Sequence, residues 1–192
     1  MIIAPATLVT GNKRKIEEAR ASFAKYGLAL DVTQVEIDEI QHHDPSKITE
    51  AKAKAVYGRL QRPILVNDSH WSIPALGGFP GGYMKDVTGW FTAEDFMALM
   101  KDRADRTILL SDTAAFYDGT EYKTFTHHWH GTFVTTPSSQ PGASLDKVVR
   151  HVDSTMTLAE EHEKRDSGVA QELDMHYDLW LECAQWLKKH GS

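Results

Sequence analysis

The chain holds one cysteine, Cys183, among 192 residues. A single thiol cannot close an internal disulfide, and there is no CxxC pair to grip zinc. Positive charge is also scarce. The 21 Lys and Arg stand against 27 Asp and Glu, a formal net charge of -6 with histidine neutral. A general nucleic-acid binder needs a basic face to displace phosphate counterions, so that class is set aside. A local basic pocket for one phosphate chain stays open. No apolar run is long enough to span a membrane. The opening Met1-Ile2-Ile3-Ala4-Pro5 has no charged stretch ahead of its short apolar run. No signal peptide is therefore expected, and a reducing cytoplasm is the expected compartment. Internal repeats and low-complexity blocks are absent.

What remains is an ordinary globular composition, 41% hydrophobic and 25% charged. The length suits one large domain, residues 1–192, with room for two lobes. Thr7 to Thr10 reads as the end of a first strand, Gly11-Asn12 as a turn, and Lys13 to Tyr26 as a helix stopped by Gly27. Leu30 to Ile37 alternates like a strand. Asp44-Pro45 reads as a cap and first helical position for a helix to about Leu60. Pro63 to Val66 suits a short buried strand ending at Asn67-Asp68. Strand–helix–strand–helix–strand is an α/β pattern.

Ile73 to Tyr83 is too rich in Gly and Pro for a regular element and reads as a long functional loop. Thr92 to Asp95 resembles a capping box opening a short helix to Lys101. Arg106–Tyr117 and Glu121–Val134 are predicted strands joined at Asp118-Gly119, with a surface loop from Thr135 to Gly142. Leu145–Arg150 and Gly168–His190 are predicted helices.

Three places carry chemistry. Thr10-Gly11-Asn12-Lys13-Arg14-Lys15 opens directly into a helix, whose first N–H groups are unpaired and partly positive. With Thr10, Asn12 and Lys15 as donors this makes a phosphate cradle, or else a capped helix with a solvated basic first turn. It is not the GxxxxGK[ST] loop. Asp68, expected at a strand end with Asn67 and Ser69 beside it, can hold a hard cation or take a proton from water, or simply start a turn. Glu39, in Ile37-Asp38-Glu39-Ile40-Gln41, faces either a cleft or solvent. Elsewhere, His128 and His130 share one face of a predicted strand, a spacing open to zinc but also to a polar sheet face, with Trp129 opposite. His42-His43-Asp44 near Glu39 reads as a solvated loop, with help to a metal site as the other reading. Phe116, Tyr117 and Phe125 read as core, as does the helical spacing of Tyr177, Trp180, Cys183, Ala184 and Leu187, where Cys183 is a poor nucleophile.

Taken in order, Thr10-x-Asn12-x-x-Lys15, Glu39, Asp68-Ser69, and Leu76-Gly77-Gly78-Phe79-Pro80-Gly81-Gly82-Tyr83-Met84-Lys85 form one pattern over the first half of the chain. It resembles the inosine triphosphate pyrophosphatase family, the non-standard purine NTP pyrophosphatases. The resemblance implies an α/β fold with a long mixed sheet, two lobes around a central cleft, and a homodimer. It also implies a reaction: a nucleoside triphosphate is split into monophosphate and pyrophosphate with Mg²⁺. By position, Thr10, Asn12, Lys15 and Lys85 would hold phosphate, with Ser69 and the glycine-loop residue Gly78 also contacting substrate. Glu39 and Asp68 would place the metal, and Asp68 would activate the attacking water. Lys13, Arg14, Lys15 and Lys85 would meet the anionic substrate despite the negative net charge.

The second half departs from that family. Its Phe-Gly-aromatic-Asp segment is here Ala143-Ser144-Leu145-Asp146, keeping only the substrate-contacting Asp146. Its late Ser-His-Arg has no counterpart after Thr157-Leu158-Ala159-Glu160, where Lys164 and Arg165 follow. Asn67 stands where the family usually has a second acid. An altered base preference is therefore expected. A catalytically inactive nucleotide-binding relative, or a phosphatase on a small phosphorylated metabolite, are the alternative readings.

Overall fold

The computed structural model describes residues 5–167 and 179–190. Strand β1 (Thr7–Val9) leads into helix α1 (Lys13–Lys25), where Asn12 caps the first turn by accepting the Lys15 N–H. Gly27 ends the helix at φ 69°, a conformation glycine adopts without a Cβ penalty. Strand β2 (Asp31–Thr33) is shorter than the Leu30–Ile37 alternation predicts. Its template runs out: β1 offers three register partners, and the last ladder bond joins Thr10 N–H to the Thr33 carbonyl. Helix α2 (Pro45–Leu60) starts and stops as the caps predict, with Asp44 accepting the Ser46 N–H and Gln61 left-handed at φ 50°.

Strand β3 (Ile64–Ile73) corrects the sequence reading, since it runs ten residues and carries Asp68 in its interior. Ladder hydrogen bonds come from the backbone, so polar side chains do not end a strand when their own polar atoms find partners. Strand β5 (Thr107–Tyr117) lies beside β3 and supplies such partners for Asn67 and Ser69. The Gly/Pro-rich stretch is more ordered than a loop. Two single 3₁₀ turns, Pro74–Leu76 and Gly81–Tyr83, flank β4 (Phe79–Pro80), which pairs antiparallel with the end of β3. Helix α3 (Met84–Trp90) follows without an N-terminal side-chain cap, which is why it left no mark in the sequence. Helix α4 (Ala93–Leu99) carries the predicted Thr92–Asp95 capping box.

Strands β5 and β6 (Tyr122–Phe133) form the predicted hairpin, with Asp118 accepting the Thr120 and Glu121 N–H groups in the turn. The helix predicted over Leu145–Arg150 is absent: a turn leads into strand β7 (Val149–His151), paired antiparallel with β6. Six residues cannot repay helix nucleation, and Val149 gains a ladder partner in Phe133. Helix α5 (Leu158–Asp166) has its own capping box, Thr157 and Glu160. Helix α6 (Leu179–His190) is the described part of the predicted Gly168–His190 helix; Tyr177 lies outside the described residues.

The seven strands make one mixed sheet in the order β2-β1-β3-β5-β6-β7, with β4 on β3. Parallel pairs (β1 with β2 and β3) sit in the same sheet as antiparallel ones (β3 with β4, β6 with β7). The described residues divide into two compact units, 5–69 with 112–127 and 179–190, and 70–111 with 128–167. In the first unit Leu8, Ala19, Phe23, Leu65, Phe116, Phe125 and the Trp180–Leu187 face of α6 pack on one side of the sheet. Val9, Ala53, Val56, Ile64, Val66 and Ala115 pack on the other, beneath α2. The second unit has its own core of Trp71, Ile73, Phe96, Ile108, Phe133, Leu145, Val149 and Leu158. Among the described residues no helix is long and apolar enough to cross a membrane.

The α5 cap gives a modest prediction. Thr157 is buried, accepts the Glu160 N–H, and receives the Glu160 carboxylate on its own N–H at 2.8 Å. Thr157→Ala is expected to cost about 1 kcal/mol. Differential scanning calorimetry should show the midpoint falling by roughly 2–4 °C.

Candidate active site

Strand alternation sends Asn67 and Ser69 to the face of β3 that carries α1, and Asp68 to the face that carries α2. The packing agrees, since Leu65 lies in the α1 core while Ile64 and Val66 lie in the α2 core. The predicted site residues of the first unit thus fall into two groups on either side of one strand.

On the α1 side, Thr10 accepts the Asn12 N–H at 3.1 Å, and Asn12 in turn caps the helix. Lys15, one turn in, reaches the strand: its ammonium donates to the Asn67 carbonyl oxygen and to Ser69 Oγ at 3.0 Å. Asp112 of β5 stands 3.9 Å from the same ammonium. Its Oδ1 accepts from Asn67 Nδ2 at 2.8 Å and from Ser69 Oγ at 2.7 Å. Burial pulls the Lys15 pKa below the usual lysine range, while Asp112 and then Asp68 push it back. The basic first turn is not uniform. Arg14 pairs with Glu18 at 3.5 Å on the exposed flank, so Lys15 alone turns inward.

On the α2 side, Glu39 forms an ion pair with Lys52 at 2.7 Å. Asp68 is half-buried, and burial pushes its carboxyl above the usual aspartate range. Lys52 pulls the value down, Glu39 pushes it up, and Lys15 opposes the rise more weakly. Each of these charges is therefore felt at Asp68. Glu39 and Asp68 offer hard oxygen donors in electrostatic reach of each other. Mg²⁺ takes one or two carboxylates and completes its shell with water and phosphate oxygens, so this donor set fits it. Among the described residues no group of three or more His, Cys, Asp or Glu gathers to hold an ion by protein ligands alone.

The remaining predicted residues lie in the second unit. Gly78 sits at φ 91°, where a side chain is strained, but its N–H is donated to the Ile73 carbonyl at 3.0 Å. The Gly77 N–H likewise goes to Pro74. The turn therefore uses both of these glycine N–H groups within itself. Lys85 is exposed on α3. Asp146 stands 3.6 Å from His162 of α5. On β6, His128 bonds Ser111 at 2.9 Å and both it and His130 are exposed, whereas Trp129 packs against Trp71 and His151. His42 accepts the Asp44 N–H. Phe116, Phe125, Trp180, Ala184 and Leu187 are core, and Cys183 is buried with its thiol pKa pushed well up by desolvation.

Two residues of the site escaped the sequence reading, and both left a trace in it. Lys52 falls in the stripe Ile48, Thr49, Ala53, Val56 that α2 buries, an odd position for a lysine without a partner. Asp112 is the one carboxylate in the predicted strand Arg106–Tyr117, and it is buried at 9% exposure.

Comparison with known proteins agrees with this architecture. The chain is 29% identical over 185 residues to a dITP/XTP pyrophosphatase of Thermococcus kodakarensis, covering 95% of this chain and 96% of that protein. A dITP/XTP pyrophosphatase of Hyperthermus butylicus is 26% identical over 184 residues, covering 96% and 95%. Among solved structures, a HAM1 protein from Coxiella burnetii superposes with a TM-score of 0.76 at 18% identity, over 97% of this chain and 100% of that one. A Staphylococcus aureus Ham1 protein gives 0.72 at 15% identity, over 96% and 99%. At those identities the likeness is one of fold. The Ham1 family model itself matches residues 6–169, and the chain belongs to the Ham1 family.

Proposed function

We propose that the chain hydrolyses a nucleoside triphosphate to nucleoside monophosphate and pyrophosphate, with Mg²⁺ as its ion. The observation that carries this reading is Asp68: a half-buried carboxylate made more basic by its surroundings, beside Glu39 and Lys52. The names of the pyrophosphatase relatives point the same way. Thr10, Asn12, Lys15 and Lys85 hold the phosphate chain, and Ser69 orders Lys15 from the strand. Gly78 keeps its turn free of a side chain, and Asp146 with His162 belongs to the base end. Asp68 takes a proton from water as the oxygen bonds to the α-phosphorus; the bond from that phosphorus to the bridging oxygen breaks, and pyrophosphate leaves. Bound by Glu39 and Asp68, Mg²⁺ would neutralise phosphate charge and make water more acidic. The same reading takes the active form as a cytoplasmic homodimer, checked by sedimentation and cell fractionation.

The altered second half argues for a base other than the 6-oxo purines. The test is a panel of standard and modified nucleoside triphosphates with Mg²⁺, scored for pyrophosphate. Pyrophosphate from one or more of them is expected. Orthophosphate instead would mark a phosphatase, and binding without any product would mark a binding module.

A pH prediction follows from the charges around Asp68. The carboxylate must be ionised to accept a proton, so activity falls as pH drops through its raised pKa. In the metal-free protein Glu39→Gln removes a repulsion and should move the Asp68 titration to lower pH. Lys52→Met removes an attraction and should move it to higher pH. Carbon-detected NMR titrations of the Asp68 carboxyl without Mg²⁺ should show the two variants displaced in opposite directions.

A further inference from the structure

We propose that Asp112 is a positioning residue, whose single oxygen Oδ1 orients Ser69 and Asn67 so that both present lone pairs to Lys15 and hold its ammonium at β3 for a substrate phosphate. The inference rests on the reading of Lys15 as a phosphate ligand. It adds a residue that neither the motif nor the relatives' names assign.

The direction of each hydrogen bond carries the argument. A carboxylate only accepts. The Ser69 hydroxyl therefore gives its one hydrogen to Asp112, at 2.7 Å, and must meet Lys15 with a lone pair, at 3.0 Å. Asn67 donates through Nδ2 to Asp112 at 2.8 Å and to the Thr113 carbonyl at 3.1 Å. Its amide oxygen is thereby left facing the Lys15 ammonium. An ammonium has three N–H donors, and Asn67 and Ser69 take two. The third is available to an anion. The Lys15 side chain keeps 17% exposure, so the group is held but not sealed.

The arrangement also explains an amide at position 67. Two carboxylates 2.8 Å apart would repel, and one would have to stay protonated. With Asp112 charged, Asn67 can donate to it and accept from Lys15 at once. Moving the carboxylate from one strand to its neighbour should therefore be tolerated only if the amide moves the other way.

The experiment uses the full chain and inorganic tripolyphosphate with Mg²⁺, titrated by calorimetry, alongside nucleoside triphosphate turnover. Asp112→Ala is expected to weaken tripolyphosphate by about tenfold or more, the scale of a lost charged hydrogen bond. Its loss with substrate should fall mainly on KM. Asp112→Asn keeps an acceptor for Ser69 and should lose less. Asn67→Asp alone should also bind weakly, and the exchanged double variant, Asn67→Asp with Asp112→Asn, should return to within about threefold of the wild type. A merely structural role would lower the fraction of binding-competent protein and leave the Kd of the folded fraction unchanged. That outcome overturns the proposal, as does a wild type that binds no tripolyphosphate, or an exchanged variant weaker than both single ones. A wild type that binds tripolyphosphate but releases no pyrophosphate from any nucleotide would overturn the hydrolase reading alone.

Discussion

Asp68→Asn should lower kcat by about 10²–10⁴-fold, the range a general base contributes. The fold should survive. Asparagine has nearly the same shape, and the carboxylate it replaces is held against desolvation and the Glu39 charge. Removing that charge relieves both effects, so the thermal midpoint should stay level or rise slightly. Circular dichroism with a melt, run beside a pyrophosphate-release assay, separates the two readouts. The expected pattern is a folded, nearly inert protein that still binds tripolyphosphate through Lys15. Turnover near wild type in that variant would remove Asp68 from the proton-transfer step and send the search to Glu39. Loss of turnover together with loss of the fold would instead make Asp68 a structural carboxylate.

Features written in local chemistry were legible. The Asp44-Pro45 cap fixed the start of α2 to the residue, the Thr92–Asp95 box placed α4, and Asp118-Gly119 placed the β5–β6 turn. Features decided by a partner were not. The expected stop at Asp68 assumed that polar side chains end a strand, but β5 supplies Asp112 and the Thr113 carbonyl to satisfy Asn67, and β3 continues to Ile73. The stretch after Leu145 looked helical by composition until β6 offered it a ladder. Thr10, Asn12 and Lys15 stand together in the fold because their spacing is local. Lys52 and Asp112 were missed because their roles exist only once α2 and β5 are packed. The motif reading also joined Lys15 and Asp68 as members of one site, and the fold sets them on opposite faces of one strand with their charges still coupled.

That two-sided arrangement gives Lys15→Met two separable consequences. Removing the cation leaves Asp112 with 12% side-chain exposure and no ammonium beside it. Breaking a buried pair from one side costs about 3–5 kcal/mol. Because both side chains retain some exposure, the lower figure of about 3 kcal/mol is expected, with a midpoint lower by roughly 6–12 °C. Tripolyphosphate binding should fall below detection at the same time, since the inward-turned cation of the first turn is gone. These effects part company in the double variant Lys15→Met with Asp112→Leu. There the stranded carboxylate is removed too, and apolar replacement of both members of a buried pair is often neutral or stabilising. The melt should therefore recover most of its loss. Binding should not recover, because no cation has been restored to the strand. Calorimetric titration of the double variant, taken well below its melting temperature, decides the matter. Recovery of the melt with binding still absent assigns Lys15 to the ligand as well as to the fold. Recovery of both would confine it to the fold and leave the phosphate to Thr10, Asn12 and Lys85.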